Sequence, residues 1–307
     1  MTFRIQTATF QLGEKLKSAQ EICNSLGLEY QRLIEKTGFE NLHVTEKNDI
    51  EFYQGFLTEH LILSDDDVVI LVNQTFMGSI PGAAPIIFEK IPNAQKVCFI
   101  EISDGCSGFL RALIIADSLL TTSGKRIHIV CAEKYSNFIS NENRTSRPIF
   151  SDAISLVTLE TGTEYEIIDS RVINNFQDFK SIIISGSENQ EFEMQGAKVL
   201  KWTSVAVSNQ IKELLDANSI EIRDISGLYL HQGSRIVVET ISNSIGYLKD
   251  SPFMSSQIGN TVSSSIPALL SLNSANSNDF MKNGINVFSA FGIGLSSISI
   301  LIKKNPE

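Results

Sequence analysis

Cysteine is scarce and unpatterned. The chain has four, Cys23, Cys98, Cys106 and Cys131, with no paired spacing that would suggest a disulfide framework and no spacing typical of zinc. A reduced, cytoplasmic setting without a metal is the expectation. Proline is nearly as rare, seven in 307 residues. With 42% hydrophobic residues, that suits a compact globular α/β chain, long enough for one large or two medium domains. A basic excess is missing too. The formal net charge is −10, which argues against nucleic acid as the main partner. Long apolar runs are also absent. The best candidate, residues 287–302, falls short of the roughly 20 residues a membrane span needs and is rich in serine and glycine. It reads as strand, glycine turn and strand, so no membrane association is expected. The start, Met1-Thr2-Phe3-Arg4, has neither the basic head nor the apolar core of a signal peptide.

What is present is an alternation of strands and helices. Val68–Val72, Val97–Ile102, Arg126–Ala132 and Ile154–Glu160 read as buried strands, and Glu14–Leu28 as an amphipathic helix. The acidic run Asp65-Asp66-Asp67 reads as a solvated strand entrance. A second cycle follows: a strand at Tyr165–Ile168, a helix over Gly196–Asn218, a strand at Gly227–His231, a helix over Ser234–Leu248, and strands flanking Gly292. The seam falls at Glu160–Glu164. It divides the chain into residues 1–160 and 161–307, two units with one plan: strand, reactive residue, helix.

Cys106 lies where an apolar strand breaks at Ser103-Asp104-Gly105 and a helical pattern begins with Leu110, Leu113 and Ile114. A helix N-terminus stabilises a thiolate, and the thiolate is the nucleophile. On this segment alone, a nucleophile and a small buried core cysteine fit equally well. Two further segments end strands or loops on polar side chains. Leu228-Tyr229-Leu230-His231 precedes a helical pattern, and Asn260 opens the polar loop before another helix. Cys106, His231 and Asn260 would then meet at one sheet edge, between the two halves. His43, His60 and His128 have no such context and read as structural.

At these residues the chain resembles the ketoacyl synthase III family of the thiolase superfamily, as a divergent member. The matching segments are Cys106-Ser-Gly-Phe109, His231-Gln-Gly-Ser234 and Gly259-Asn-Thr-Val-Ser-Ser-Ser-Ile-Pro267. Weaker matches occur in the same order as in the family, at Thr37-Gly38-Phe39, Ile80-Pro-Gly-Ala-Ala84, Ala132-Glu-Lys134, Phe150-Ser-Asp-Ala153 and Phe291-Gly-Ile-Gly294. The resemblance implies an α/β, thiolase-like five-layer αβαβα fold made of two duplicated halves.

The resemblance also implies an acyltransferase that condenses thioesters. Cys106 would carry the acyl group. Backbone N–H groups of Cys106 and of the Ile293-Gly294 loop would hold the oxyanion, and His231 and Asn260 would hold the enolate of a malonyl thioester. Substrates would be coenzyme A or acyl carrier protein thioesters, with no further cofactor. The protein would be a homodimer in which Ile80 reaches the partner's acyl site. Arg32, Lys36 and Ser234 would touch substrate. Here the chain departs from the family. Arg32 stands where a tryptophan is usual, Lys36 and Glu40 replace arginines, and Ser234 replaces an asparagine. These departures suggest a specialised lipid or polyketide-type pathway. Simple acyl transfer from Cys106 to an amine or hydroxyl, with His231 as base, is the alternative. No cysteine follows Cys131, which disfavours thiolase chemistry.

Overall fold

Strands that are apolar on both faces must be covered on both. The computed structural model describes residues 2–76, 80–123, 125–185, 190–249, 253–277 and 279–306, and there the cover is three layers of helix around two joined sheets. The N-terminal half contains β1 (Thr2–Leu12), β2 (Lys15–Ser18), α1 (Ala19–Leu26), α2 (Tyr30–Thr37), β3 (Asn41–Val44), α3 (Asp49–His60), β4 (Val68–Val72) and α4 (Ala83–Ile87). It continues with β5 (Cys98–Ile102), α5 (Gly108–Ser123), β6 (Ile127–Glu133) and β7 (Ala153–Thr161). The C-terminal half contains β8 (Tyr165–Asn174), β9 (Ile182–Ser185), β10 (Glu191–Met194), α6 (Gly196–Ala217), β11 (Ile225–Leu230) and α7 (Arg235–Ile245). It ends with α8 (Ser265–Ser277), β12 (Gly284–Gly292) and β13 (Ser296–Lys304).

The main sheet runs β11-β12-β13-β8-β1-β7-β6-β4-β5. The same pattern occurs twice. A parallel pair, β4 with β6 or β11 with β12, is followed by two antiparallel pairings. The two patterns join where β1 pairs with β8, and only Thr2↔Glu166 and Phe3↔Tyr165 are in register there. Among the described residues β5 has no counterpart in the second pattern. The side chains of β4 show how the layers form. Val68, Ile70 and Val72 face a core shared with α5 and α8, and Val69 and Leu71 face one shared with α3 and α4. In the other half of the sheet Leu228, Leu230, Val287 and Leu301 pack against α6 and α7. The result is the five-layer αβαβα arrangement, with α5 and α8 as its middle layer.

Several expected elements change. The helix expected over Glu14–Leu28 begins only at Ala19, because residues 15–18 pair with β3 instead. Ser18 then caps the helix: its Oγ accepts from the Glu21 N–H at 3.1 Å, and its own N–H donates to the Glu21 carboxylate at 3.3 Å. β5 is an edge strand, bonded on one side by β4, and Cys98 and Glu101 are exposed on it. It is therefore not the buried strand expected. The acidic run is not wholly solvated either. Asp67 is buried, accepting from Arg126 at 2.7 Å and lying 3.1 Å from His128 Nε2. Among the described residues, no helix is long and apolar enough to cross a membrane.

Candidate active site

Cys106 owes its position to a tight turn after β5. Gly105 has φ +44°, and a Cβ there would come within 2.7 Å of Gln74 Oε1, so the turn needs glycine. The Asp104 carboxylate accepts from Ser107 Oγ at 3.0 Å and from Arg111 Nε at 2.7 Å, which locks the turn onto the start of α5. The helix-start placement is as the sequence suggests, but the expected ease of ionisation is not met. Burial, then the charges of Glu133 and Asp104, push the thiol above its ordinary range, against a backbone hydrogen bond at Cys106 itself.

His231 ends β11, where its N–H donates to the Ser289 carbonyl of β12 at 2.8 Å. Its ring meets Phe291 edge-on, with centroids 5.4 Å apart. Burial lowers its pKa to about 3, so the imidazole is neutral at ordinary pH. A Cβ on Gly233 would lie 3.5 Å from His231 Nε2. That ring edge therefore faces the residue next to it in the cavity wall.

Asn260 is fixed by its backbone. Its N–H donates to the Ile149 carbonyl and its carbonyl accepts from the Ser151 N–H, both at 2.9 Å. Its side-chain Oδ1 accepts from the Val262 N–H, also at 2.9 Å, which leaves the amide NH₂ as the free end. Val262 has φ +54°, a strained position for a β-branched residue, and such strain clusters at functional sites. The serines that follow bind the motifs together. Ser265 Oγ accepts from the Gln232 N–H at 2.8 Å, and Ser264 Oγ donates to the Cys131 carbonyl at 3.1 Å.

Cys106, His231 and Asn260 line one cavity of about 170 Å³. Its deep wall is aromatic: the Tyr135, Phe150 and Phe192 rings pack with centroids 5.1, 5.3 and 5.4 Å apart. Lys36, Thr37, Ser234 and Ile236 also line it, and Lys36 and Ile236 reach the surface. Phe291, Gly292 and Ile293 form another wall. A Cβ on Gly292 would lie 2.9 Å from Cys106 Cβ and 3.1 Å from its Sγ. The loop thus rests directly against the nucleophile.

Of the residues singled out in the sequence, this cavity gathers Cys106, His231, Asn260, Ile293, Lys36 and Ser234. Gly294, Arg32 and Ile80 do not line it. Arg32 lies exposed on α2, and Ile80 is 99% exposed. Sequence reasoning missed Tyr135 and Phe192. Phe192 comes from the β9–β10 hairpin, where no motif marks it. Phe150 stands in a matched motif that gave no hint of its ring packing.

A five-layer α/β fold that brings a helix-start cysteine, a neutral histidine and an oriented asparagine to one apolar cavity defines a condensing acyltransferase of the thiolase superfamily. Residues 100–175 match the model for 3-oxoacyl-[acyl-carrier-protein (ACP)] synthase III, and residues 215–304 match the model for its C-terminal part. Together they cover more than half of the chain, which belongs to the 3-oxoacyl-[acyl-carrier-protein] synthase III family. The β-ketoacyl-[acyl-carrier-protein] synthase III of Ehrlichia chaffeensis is 24% identical over 95% of this chain and 96% of its own length. The solved 3-oxoacyl-(acyl carrier protein) synthase III of Pseudomonas aeruginosa superposes with a TM-score of 0.86 at 18% identity, over 100% of this chain and 99% of that one. The priming β-ketosynthase of the R1128 polyketide pathway superposes at 0.83 with 19% identity, over 99% and 97%.

Proposed function

We propose that the protein joins a short acyl group to a malonyl thioester by decarboxylative Claisen condensation, acting on coenzyme A or carrier-protein thioesters without a further cofactor. Cys106 loses its proton and attacks the acyl thioester carbonyl. The carrier thiol leaves with a proton, and Cys106 keeps the acyl group. The backbone N–H groups of Cys106 and Ile293 are the donors to the passing oxyanion. The malonyl thioester then loses carbon dioxide. The electron pair left behind forms an enolate, whose oxygen takes hydrogen bonds from the His231 imidazole and the Asn260 amide. The enolate carbon attacks the acyl carbonyl, and the Cys106 thiolate leaves.

The observation that carries this reading is the Asn260 amide, oriented by Val262 with its donor end free in the same cavity as Cys106 and His231. Acyl transfer to an amine or hydroxyl would instead need His231 as a general base. An imidazole with a pKa of about 3 is a weak one. A cavity of about 170 Å³ is close to the ~150 Å³ that accepts benzene in a dry protein interior, which supports a short acyl chain. The changed positions Arg32, Lys36 and Glu40, of which Glu40 accepts from Gln257 at 2.8 Å, support a specialised lipid or polyketide-type pathway.

The free edge of β5 and the exposed Ile80 support a homodimer joined along that edge. A single monomer mass in light scattering at micromolar concentration would refute it. The condensation is tested by measuring acyl-enzyme mass and carbon dioxide release in native and Asn260→Ala protein. The variant should still load Cys106 but release carbon dioxide about 10²–10³-fold more slowly, the usual cost of one lost oxyanion donor. Native protein that turns over no malonyl thioester would overturn the reading.

A further inference from the structure

Glu133 is a carboxylate in an unusual place. It ends β6 at 0% exposure, and its oxygens accept from the Gln74 N–H at 3.2 Å and Ser263 Oγ at 3.3 Å. Among the described residues no cation pairs with it. The neighbouring Lys134 turns away to Asp49, at 3.3 Å. Both partners of Glu133 also touch the nucleophile's surroundings. The Gln74 side chain fills the space beside Gly105 and accepts from the Tyr135 hydroxyl at 3.0 Å. Ser263 belongs to the 3-10 turn Val262–Ser264, which packs against the turn carrying Cys106 and against β6.

We propose that Glu133 is an electrostatic positioning residue for Cys106: it must be uncharged for the thiolate to form, and its ionisation withdraws the nucleophile. A negative charge on the buried Glu133 disfavours a second one on the neighbouring nucleophile turn when no cation stands between them. Burial raises the Glu133 carboxyl to about 8, so it is protonated at neutral pH and titrates just above it. The titratable groups that feel its charge are Cys106 on the nucleophile turn, which also feels Asp104, Cys131 and Tyr135 from its own segment, and Tyr53 of α3. Burial pushes all three neighbouring thiol and phenol groups upward, so none is charged in the range where Glu133 titrates. Cys106 is raised in the same way, so it too is almost wholly protonated there, and what Glu133 ionisation competes with is the small thiolate fraction through which Cys106 reacts. The consequence is a thiolate population that stops rising with pH once Glu133 ionises.

The inference rests on Cys106 as the nucleophile, but not on the Claisen step. The rate of iodoacetamide alkylation, followed on the Cys106 peptide by mass from pH 6 to 9.5, reads the thiolate directly. In native protein the rate should rise about tenfold per pH unit and level off above about pH 8. In Glu133→Gln, where the amide can still accept from Gln74 and donate to Ser263, the rise should continue. The variant should exceed native by more than about tenfold at pH 9.5 and match it below pH 7. A native profile without the break overturns the proposal whether or not the variant folds. A break that persists in folded Glu133→Gln overturns it as well.

Discussion

At the scale of the residue, the site depends on close approach. Gly292 touches the nucleophile so directly that a single methyl would displace it. Gly292→Ala is expected to lower the rate of acyl-enzyme formation by more than about tenfold, since small misplacements at a reacting centre cost that much, while the far-UV circular dichroism stays native. His231 allows a prediction on pH. Its imidazole is lowered by burial to about 3, so the ring stays neutral as pH falls from 8 to 5. Carbon dioxide release from the loaded enzyme should therefore show no acid limb near 6.5, the ordinary value for histidine. A limb there that disappears in His231→Gln would show that the ring does titrate.

At the scale of the element, the sequence disclosed some parts and hid others for reasons that differ. β4, β6 and the strands around Gly292 are buried on both faces, and an apolar run is the direct signature of that. Cys106, His231 and Asn260 were legible because each stands where one element ends and the next begins. β1 was missed. Phe3 and Ile5 are buried but most of the strand is half exposed, and its partners on β7 lie 141 to 158 residues away. The pair β9–β10, whose partners lie only 6 to 12 residues apart, was hidden by its mixed exposure and short length alone, and with it Phe192. Where a local signal exists, it can be tested by itself. Ser18→Ala removes one arm of the α1 capping box, and about 1 kcal/mol of stability should go with it, read from the denaturant midpoint. A loss near zero would mean that packing of Ile22 and Leu26 holds the helix without its cap.

At the scale of the whole molecule, buried titratable groups set opposing slopes of stability against pH. Glu133 is raised by burial from 4.5 to about 8, so the folded state holds a proton that the unfolded state releases, and stability is lost as pH rises from about 4.5 to 8. His128 is lowered by burial, against the pull of Asp67. Its contribution is present above the unfolded value of about 6.5 and is lost as pH falls below it. Melting temperatures should therefore decline on both sides of a mildly acidic optimum. Glu133→Gln should remove the alkaline decline and leave the acid one. An unchanged alkaline slope in that variant would place the cause elsewhere. The two-rung junction between β1 and β8 has a different consequence. Thr2 pairs with Glu166, Lys304 pairs with Tyr165, and Asn305 donates its backbone N–H to the Glu164 carbonyl at 2.8 Å. Both ends of the described chain therefore meet at the one turn where the polypeptide passes from the first half to the second. A permuted chain opened at 162–164, with residues 2 and 306 joined by a short glycine–serine linker, would carry the halves in reverse order. It should fold alike and still take an acyl group on Cys106, because the order in which the halves are written is a matter of genetics and not of chemistry.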